Sequence, residues 1–113
     1  MENLNAVNAF VALGQDSRLN VFRLIVQRGD VGVTPSQIKE LLGIPAATLS
    51  FHIKQLLNAE LIAMERQSRN LIYRPNQQTV DNLMKFLMQN CCGGKPCPPV
   101  ISQSIQIDVS KQS

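Results

Sequence analysis

The chain is 113 residues long, with 44% hydrophobic and 17% charged residues, proportions that support one domain around a modest core and exclude a disordered chain. Its formal charge of +3 and pI near 9.0 permit a polyanionic partner without demanding one. No apolar run approaches the roughly 20 residues of a membrane span, and the first residues lack the basic-then-apolar order of a signal peptide, so the expectation is a cytoplasmic protein with no membrane partner.

Leu4, Val7, Phe10 and Val11 repeat at helical spacing and predict a short first helix ending near Leu13-Gly14. Asp16 is placed to cap a second helix from Ser17 to Arg28, stopped by Gly29-Asp30. Leu19, Phe22, Ile25 and Val26 form its main stripe, and Val21 and Leu24 are apolar too. A helix apolar nearly all round belongs in the middle of a domain. Thr34 as N-cap and Pro35 at the first helical position open a third helix, with Ile38, Leu41 and Leu42 as its core face and Gly43 as its stop.

After the break Gly43-Ile44-Pro45, Leu49, Ile53, Leu56 and Leu57 mark the buried stripe of a fourth helix running to Asn58. Ala47, Phe51, Lys54 and Asn58 centre the opposite face, with Thr48 and Gln55 beside them and no acid among them. Two helices joined by a tight Gly-containing turn make a helix-turn-helix. Past Glu60 the period becomes extended: residues 61–66 and 71–74 read as strands joined by Gln67-Ser68-Arg69-Asn70, a hairpin with a basic tip. Val80, Leu83, Met84 and Leu87 then form a last amphipathic helix to about Asn90, with Phe86 and Met88 outside its stripe. Spare apolar surface on the first and last helices points to a dimer interface. The expected fold is therefore mainly α with a β-hairpin wing, in the order α-α-α-α-β-β-α. Residues 1–90 form a winged helix-turn-helix domain for DNA binding and dimerisation, and residues 91–113 a cysteine-containing tail. The weak alternation of Ile105, Ile107 and Val109 does not decide whether that tail's end is a strand or disordered.

Three motifs resemble the ArsR (ArsR/SmtB) family of metal-responsive bacterial repressors. Leu13-Gly14-Gln15-Asp16-Ser17-Arg18-Leu19 resembles the family's L-x-D-x-x-R entry to the second helix. Ala46 to Leu56, with Thr48-Leu49-Ser50-Phe51-His52-Ile53, is similar to its T-[VL]-S-x-H-[LI]-x-x-L recognition helix. Leu61-Ile62 through Arg69-Asn70-Leu71-Ile72-Tyr73-Arg74 resembles its wing, with Glu60 and Ser68 in place of the usual glycines. The resemblance covers roughly residues 4 to 88 and implies a homodimeric repressor that leaves double-stranded operator DNA when an inducer binds. The third helix has no cysteine, where the family's arsenic sensors most often carry Cys-x-Cys. Some members of that branch instead place three cysteines after the last helix, an arrangement that Cys91, Cys92 and Cys97 resemble. The zinc sensors' Asp/His set is missing, since Asp81 stands alone in the last helix and His52 is the chain's single histidine.

Three cysteines, an odd number within seven residues, fit a soft-metal or redox site better than a disulfide framework. Arsenite, a neutral trihydroxide, exchanges its three hydroxyls for three thiols with loss of water, and its lone pair fills the fourth direction. Antimonite is the alternative inducer, while Zn²⁺ would want a fourth ligand. The other readings of Cys91, Cys92 and Cys97 are a thiol-redox switch, or a metal-binding protein without DNA function. For DNA, Thr48, Ser50 and Gln55 supply hydrogen-bonding groups, Phe51 a ring for a thymine methyl, and Lys54 a phosphate contact, with Ala47 on the same face. Phe51 has a structural alternative, packing on the turn or wing, and His52, at the edge of the buried stripe, reads as a hydrogen-bonded, partly buried group or as a base contact. Arg66 and Arg69 flank the wing tip and suit phosphate or minor-groove contact, whereas Arg74 is within reach of Glu65. No Gly-rich phosphate loop or Ser/His/Asp set is present, so the expectation is no enzyme and no catalytic cofactor.

Overall fold

The computed structural model describes residues 1–89 and Gly93, and Cys91, Cys92 and Cys97 lie outside the described residues. Its elements run α1 (Asn3–Leu13), α2 (Asp16–Arg28), a 3-10 turn (Gly29–Val31), α3 (Pro35–Leu42), α4 (Ala46–Asn58), β1 (Ile62–Gln67), β2 (Asn70–Pro75) and α5 (Gln77–Leu87). This is the expected winged helix-turn-helix order. Among the described residues no helix is long and apolar enough to cross a membrane.

As its all-round apolarity predicts, α2 packs against α1, α3, α4 and β2. Its inward face differs from the expected one: Arg18, Val21, Phe22 and Ile25 are buried, while Leu19 and Val26 are exposed. Counting polar Arg18 as a surface residue rotates the expected stripe away from the true one. Its N-cap is Gln15, not Asp16: the Gln15 side chain accepts the Arg18 backbone N–H at 2.7 Å. That is also where the L-x-D-x-x-R pattern, counted from Leu13, places its acid.

The first helix carries the spare apolar surface expected of it. Its buried residues are Ala6, Ala9 and Ala12, whereas Leu4, Val7, Phe10 and Val11 all stand exposed, Leu4 and Val11 at 67%. The alanines let α1 lie close on α2 and α4, and the bulky stripe is left outward. A similar division occurs on α5, where Thr79 and Leu83 are buried and Phe86 packs against the core, while Met84, Leu87 and Met88 face out.

The helix-turn-helix is set by local chemistry. Thr34 Oγ1 accepts from the Gln37 N–H at 3.2 Å and the Gln37 side chain accepts from the Thr34 N–H at 3.0 Å, a reciprocal capping box that fixes the start of α3. At its other end Gly43 adopts the left-handed conformation and donates to the Lys39 carbonyl, turning the chain into α4. Ile38 of α3 is fully buried and Leu42 partly so, but Leu41 points to solvent.

β1 and β2 pair antiparallel from Ile62↔Pro75 to Gln67↔Asn70, leaving Ser68-Arg69 as a two-residue loop. Such loops require a positive φ, and Ser68 supplies it at 56°. Glu60, at φ 60°, is the other described non-glycine residue in the left-handed region. The two positions where the wing departs from the glycines of the family it resembles are thus the two that carry left-handed strain. A feature not visible in the sequence anchors the wing: Val33 and Tyr73 exchange backbone hydrogen bonds at 3.0 and 2.8 Å. This bridge brings Gly32 against β2, where a Cβ would collide with Ile72 Cγ2.

Candidate nucleic-acid interface

Helix α4 is amphipathic in the expected sense. Leu49, His52, Ile53 and Leu56 are buried, Leu57 is half-buried, and Ala47, Thr48, Ser50, Phe51 and Lys54 are exposed. No acidic residue occurs anywhere along it. The exposed residues fork into two edges. Ser50 and Lys54 lie on the wing side, lining a groove of about 480 Å³ whose other wall includes Leu71 and Tyr73 of β2. Gln55 lies on the opposite edge, half-buried and bordering a hollow shared with Asn8, Val11 and Ala12 of α1.

The wing-side groove also holds two residues that sequence reasoning missed, Ser36 and Lys39 from the first turns of α3. Their i, i+3 spacing on the polar face of that helix was the available signal. Lys39 and Lys54 give the groove two cations, and no carboxylate lines it. Such a groove favours an anion.

On the wing, Arg66 and Arg69 are exposed, and among the described residues neither has a carboxylate partner. Arg74 is committed elsewhere. Its guanidinium pairs with Glu65 across the hairpin and its Nε donates to the Asp30 carbonyl at 2.8 Å, tying β2 to the 3-10 turn. The local pairing expected for Arg74 is therefore the one observed, and this residue holds the wing in place.

Phe51 is 54% exposed. The Arg18 guanidinium carbon lies 5.6 Å from its ring centroid, within cation–π range. The His52 ring lies 6.0 Å away at a tilt of 55°. His52 is 5% exposed, and its Nδ1 accepts from Arg18 Nε at 3.4 Å. Burial first, and the Arg18 charge second, hold the imidazole pKa below its ordinary value of 6.5. His52 is thus a structural acceptor, as the sequence suggested. Among the described residues no group of three or more His, Cys, Asp or Glu side chains is placed to hold a metal ion.

Comparison with known proteins supports this geometry. Residues 13–65 match a family model described as a helix-turn-helix domain. The chain is similar to the arsenical resistance operon repressor of Bacillus subtilis (strain 168), with 31% identity over 83 residues, 74% of this chain and 75% of that protein. Its fold is similar to that of an ArsR-like transcriptional regulator from Rhodococcus sp. RHA1, at TM-score 0.69 and 16% identity over 76% of this chain and 78% of the other. It is also similar to a homodimeric winged helix-turn-helix DNA-binding domain from Mycobacterium bovis, at TM-score 0.61 and 16% identity over 83% of this chain and 87% of the other. The family-model match spans both helices of the helix-turn-helix, the Bacillus subtilis repressor is 31% identical over 74% of the chain, and the chain belongs to the ArsR (ArsR/SmtB) family of transcriptional regulators.

Proposed function

We propose that the protein is a homodimeric repressor that binds double-stranded operator DNA and releases it when trivalent arsenic binds Cys91, Cys92 and Cys97. The observation that carries the DNA half is the acid-free outer face of α4 beside a groove lined by Lys39 and Lys54 and a wing whose Arg66 and Arg69 have no carboxylate partner among the described residues. In this reading Ala47, Thr48, Ser50 and Phe51 meet base edges, with Gln55 at the margin of that face. Lys54, Arg66 and Arg69 meet phosphates or the minor groove. The dimer would form through the outward faces of α1 and α5, where Phe10, Val11, Met84 and Leu87 await a partner. Two-fold symmetry then sets half-sites about 34 Å or a multiple apart.

The arsenic half is supported by donor chemistry and by the name of the Bacillus subtilis relative. Three thiols match the valence of As(III): three As–O bonds break, three As–S bonds form, and each thiol proton leaves with a hydroxide as water. The product is neutral, so no anion accumulates beyond the C-terminal end of α5, where the helix dipole would oppose it. Antimonite has the same valence and is the alternative inducer.

Two measurements test the reading. Affinity for DNA from upstream of the protein's own gene is expected to fall steeply with salt, with Lys54→Ala and Arg69→Ala each lowering the log–log slope by about 0.9. Equilibrium dialysis is expected to find one arsenic per chain, lost on Cys→Ser substitution at any of the three positions. Salt-independent association would remove the DNA half, and retention of arsenic by all three variants would remove the sensor half.

A further inference from the structure

Arg18 is the most unusual group in the core. It is 9% exposed, and among the described residues no carboxylate pairs with it. Burying a guanidinium costs several kcal/mol even after relaxation, and an apolar side chain of similar size is often as stable or more so. The side chain is instead spread over two other helices. Nη1 donates to the Ala12 carbonyl in the last turn of α1 at 3.1 Å, Nε donates to His52 Nδ1 on α4, and the guanidinium plane lies beside the Phe51 ring. These three partners sit in different functional settings. Ala12 belongs to the helix whose opposite face is bare and apolar, His52 to the buried side of α4, and Phe51 to its exposed side.

We propose that Arg18 is a positioning residue for DNA recognition: from inside the core it fixes Phe51 at the outer face of α4 in register with the last turn of α1. The proposal rests on the DNA-binding reading of α4. A planar guanidinium with five donors can hold the carbonyl, the imidazole and the ring together, which a point-charge ammonium cannot. Any movement of α1 at a dimer interface then reaches Phe51 through one side chain. His52 must stay neutral at Nδ1 to accept the bond, and Arg18 is the charged group set against it.

The test measures binding of the full-length protein to DNA from upstream of its own gene, well below the melting temperature. It compares wild type, Arg18→Met, Phe51→Leu and the double variant at several salt concentrations, with melting and sedimentation runs alongside. Arg18→Met is expected to fold and keep its oligomeric state, yet to bind about tenfold more weakly, the order of one lost base contact. Its salt slope should match wild type, because no phosphate contact is lost. The double variant should bind no more weakly than the weaker single one, because Arg18 acts through Phe51. If Arg18→Met does not fold, Arg18→Lys serves in its place with the same expected pattern. His52→Asn, whose Oδ1 takes the place of Nδ1 as the acceptor for Nε, should retain affinity, and His52→Leu should lose it. Wild-type affinity in the folded Arg18 variant, full additivity with Phe51→Leu, or a slope reduced by about one contact would each overturn the proposal. Salt-insensitive or absent binding by wild type would overturn the DNA reading itself, and this proposal with it.

Discussion

Two surfaces of this molecule are exposed for opposite reasons. The outer faces of α1 and α5 present Leu4, Val7, Phe10, Val11, Met84, Leu87 and Met88 to water. The outer face of α4 presents alanine, hydroxyls, one ring and a lysine. The first surface gains free energy by losing water to an equally apolar partner, at roughly 25 cal/mol per Å² of apolar area. The second gains little from burial but offers donors and positive charge to an anion. Exposure alone therefore says nothing about partner; what is exposed decides it. A charge placed on the first surface and a charge removed from the second should have separable consequences.

The largest expected effect comes from breaking the apolar surface. Phe10→Asp with Leu87→Asp should raise the dimer dissociation constant more than about 100-fold, since two carboxylates would be buried unpaired. Sedimentation at several concentrations reads this, and unchanged association would move the dimer interface elsewhere. Gly32→Ala attacks the support of the second surface instead. With a φ of 79° and Ile72 in the way, it should cost about 2 kcal/mol or more in urea unfolding and should loosen the wing without dissociating the dimer.

A pH effect follows from the core beneath α4. His52 has a lowered pKa when folded, so the unfolded chain binds the extra proton first. Its contribution to stability is complete above about pH 6.5 and is lost as pH falls below that value toward the folded pKa. Denaturant midpoints at pH 7.5 and 5.5 should differ less in His52→Gln than in wild type, and an equal difference would assign the acid sensitivity to other groups. The smallest effect should come from the wing loop. Ser68→Gly relieves a positive φ and should raise the unfolding free energy in urea by about 0.5 kcal/mol, and an unchanged or lower value would show that the turn is not strained at this position.

The helix-turn-helix was readable because its signals are local: the Thr34 cap, Pro35, Gly43 and the stripe from Leu49 to Leu56 each act within a turn or two. The wing was readable from the change of period at Glu60. What escaped was set by partners distant in sequence. The bulky residues of α1 signal spare apolar surface, but only packing shows that alanines form its buried face. Arg18 looks like a surface charge until α4 closes over it. Val33 pairs with Tyr73 as a single residue, too short for any alternation to register. Lys39 and Ser36 joined the candidate interface only once α3 and the wing formed opposite walls of one groove.

The most direct measurement of the account is release of the output helix by the proposed tail input. Binding to DNA from upstream of the protein's own gene would be followed during arsenite titration, for wild type and for Cys97→Ser. Arsenite should lower wild-type affinity by about 5- to 150-fold, the range of typical coupling energies, while Cys97→Ser stays on the DNA through the same titration. Equal release of both proteins, or of neither, would contradict a three-thiol sensor joined to α4.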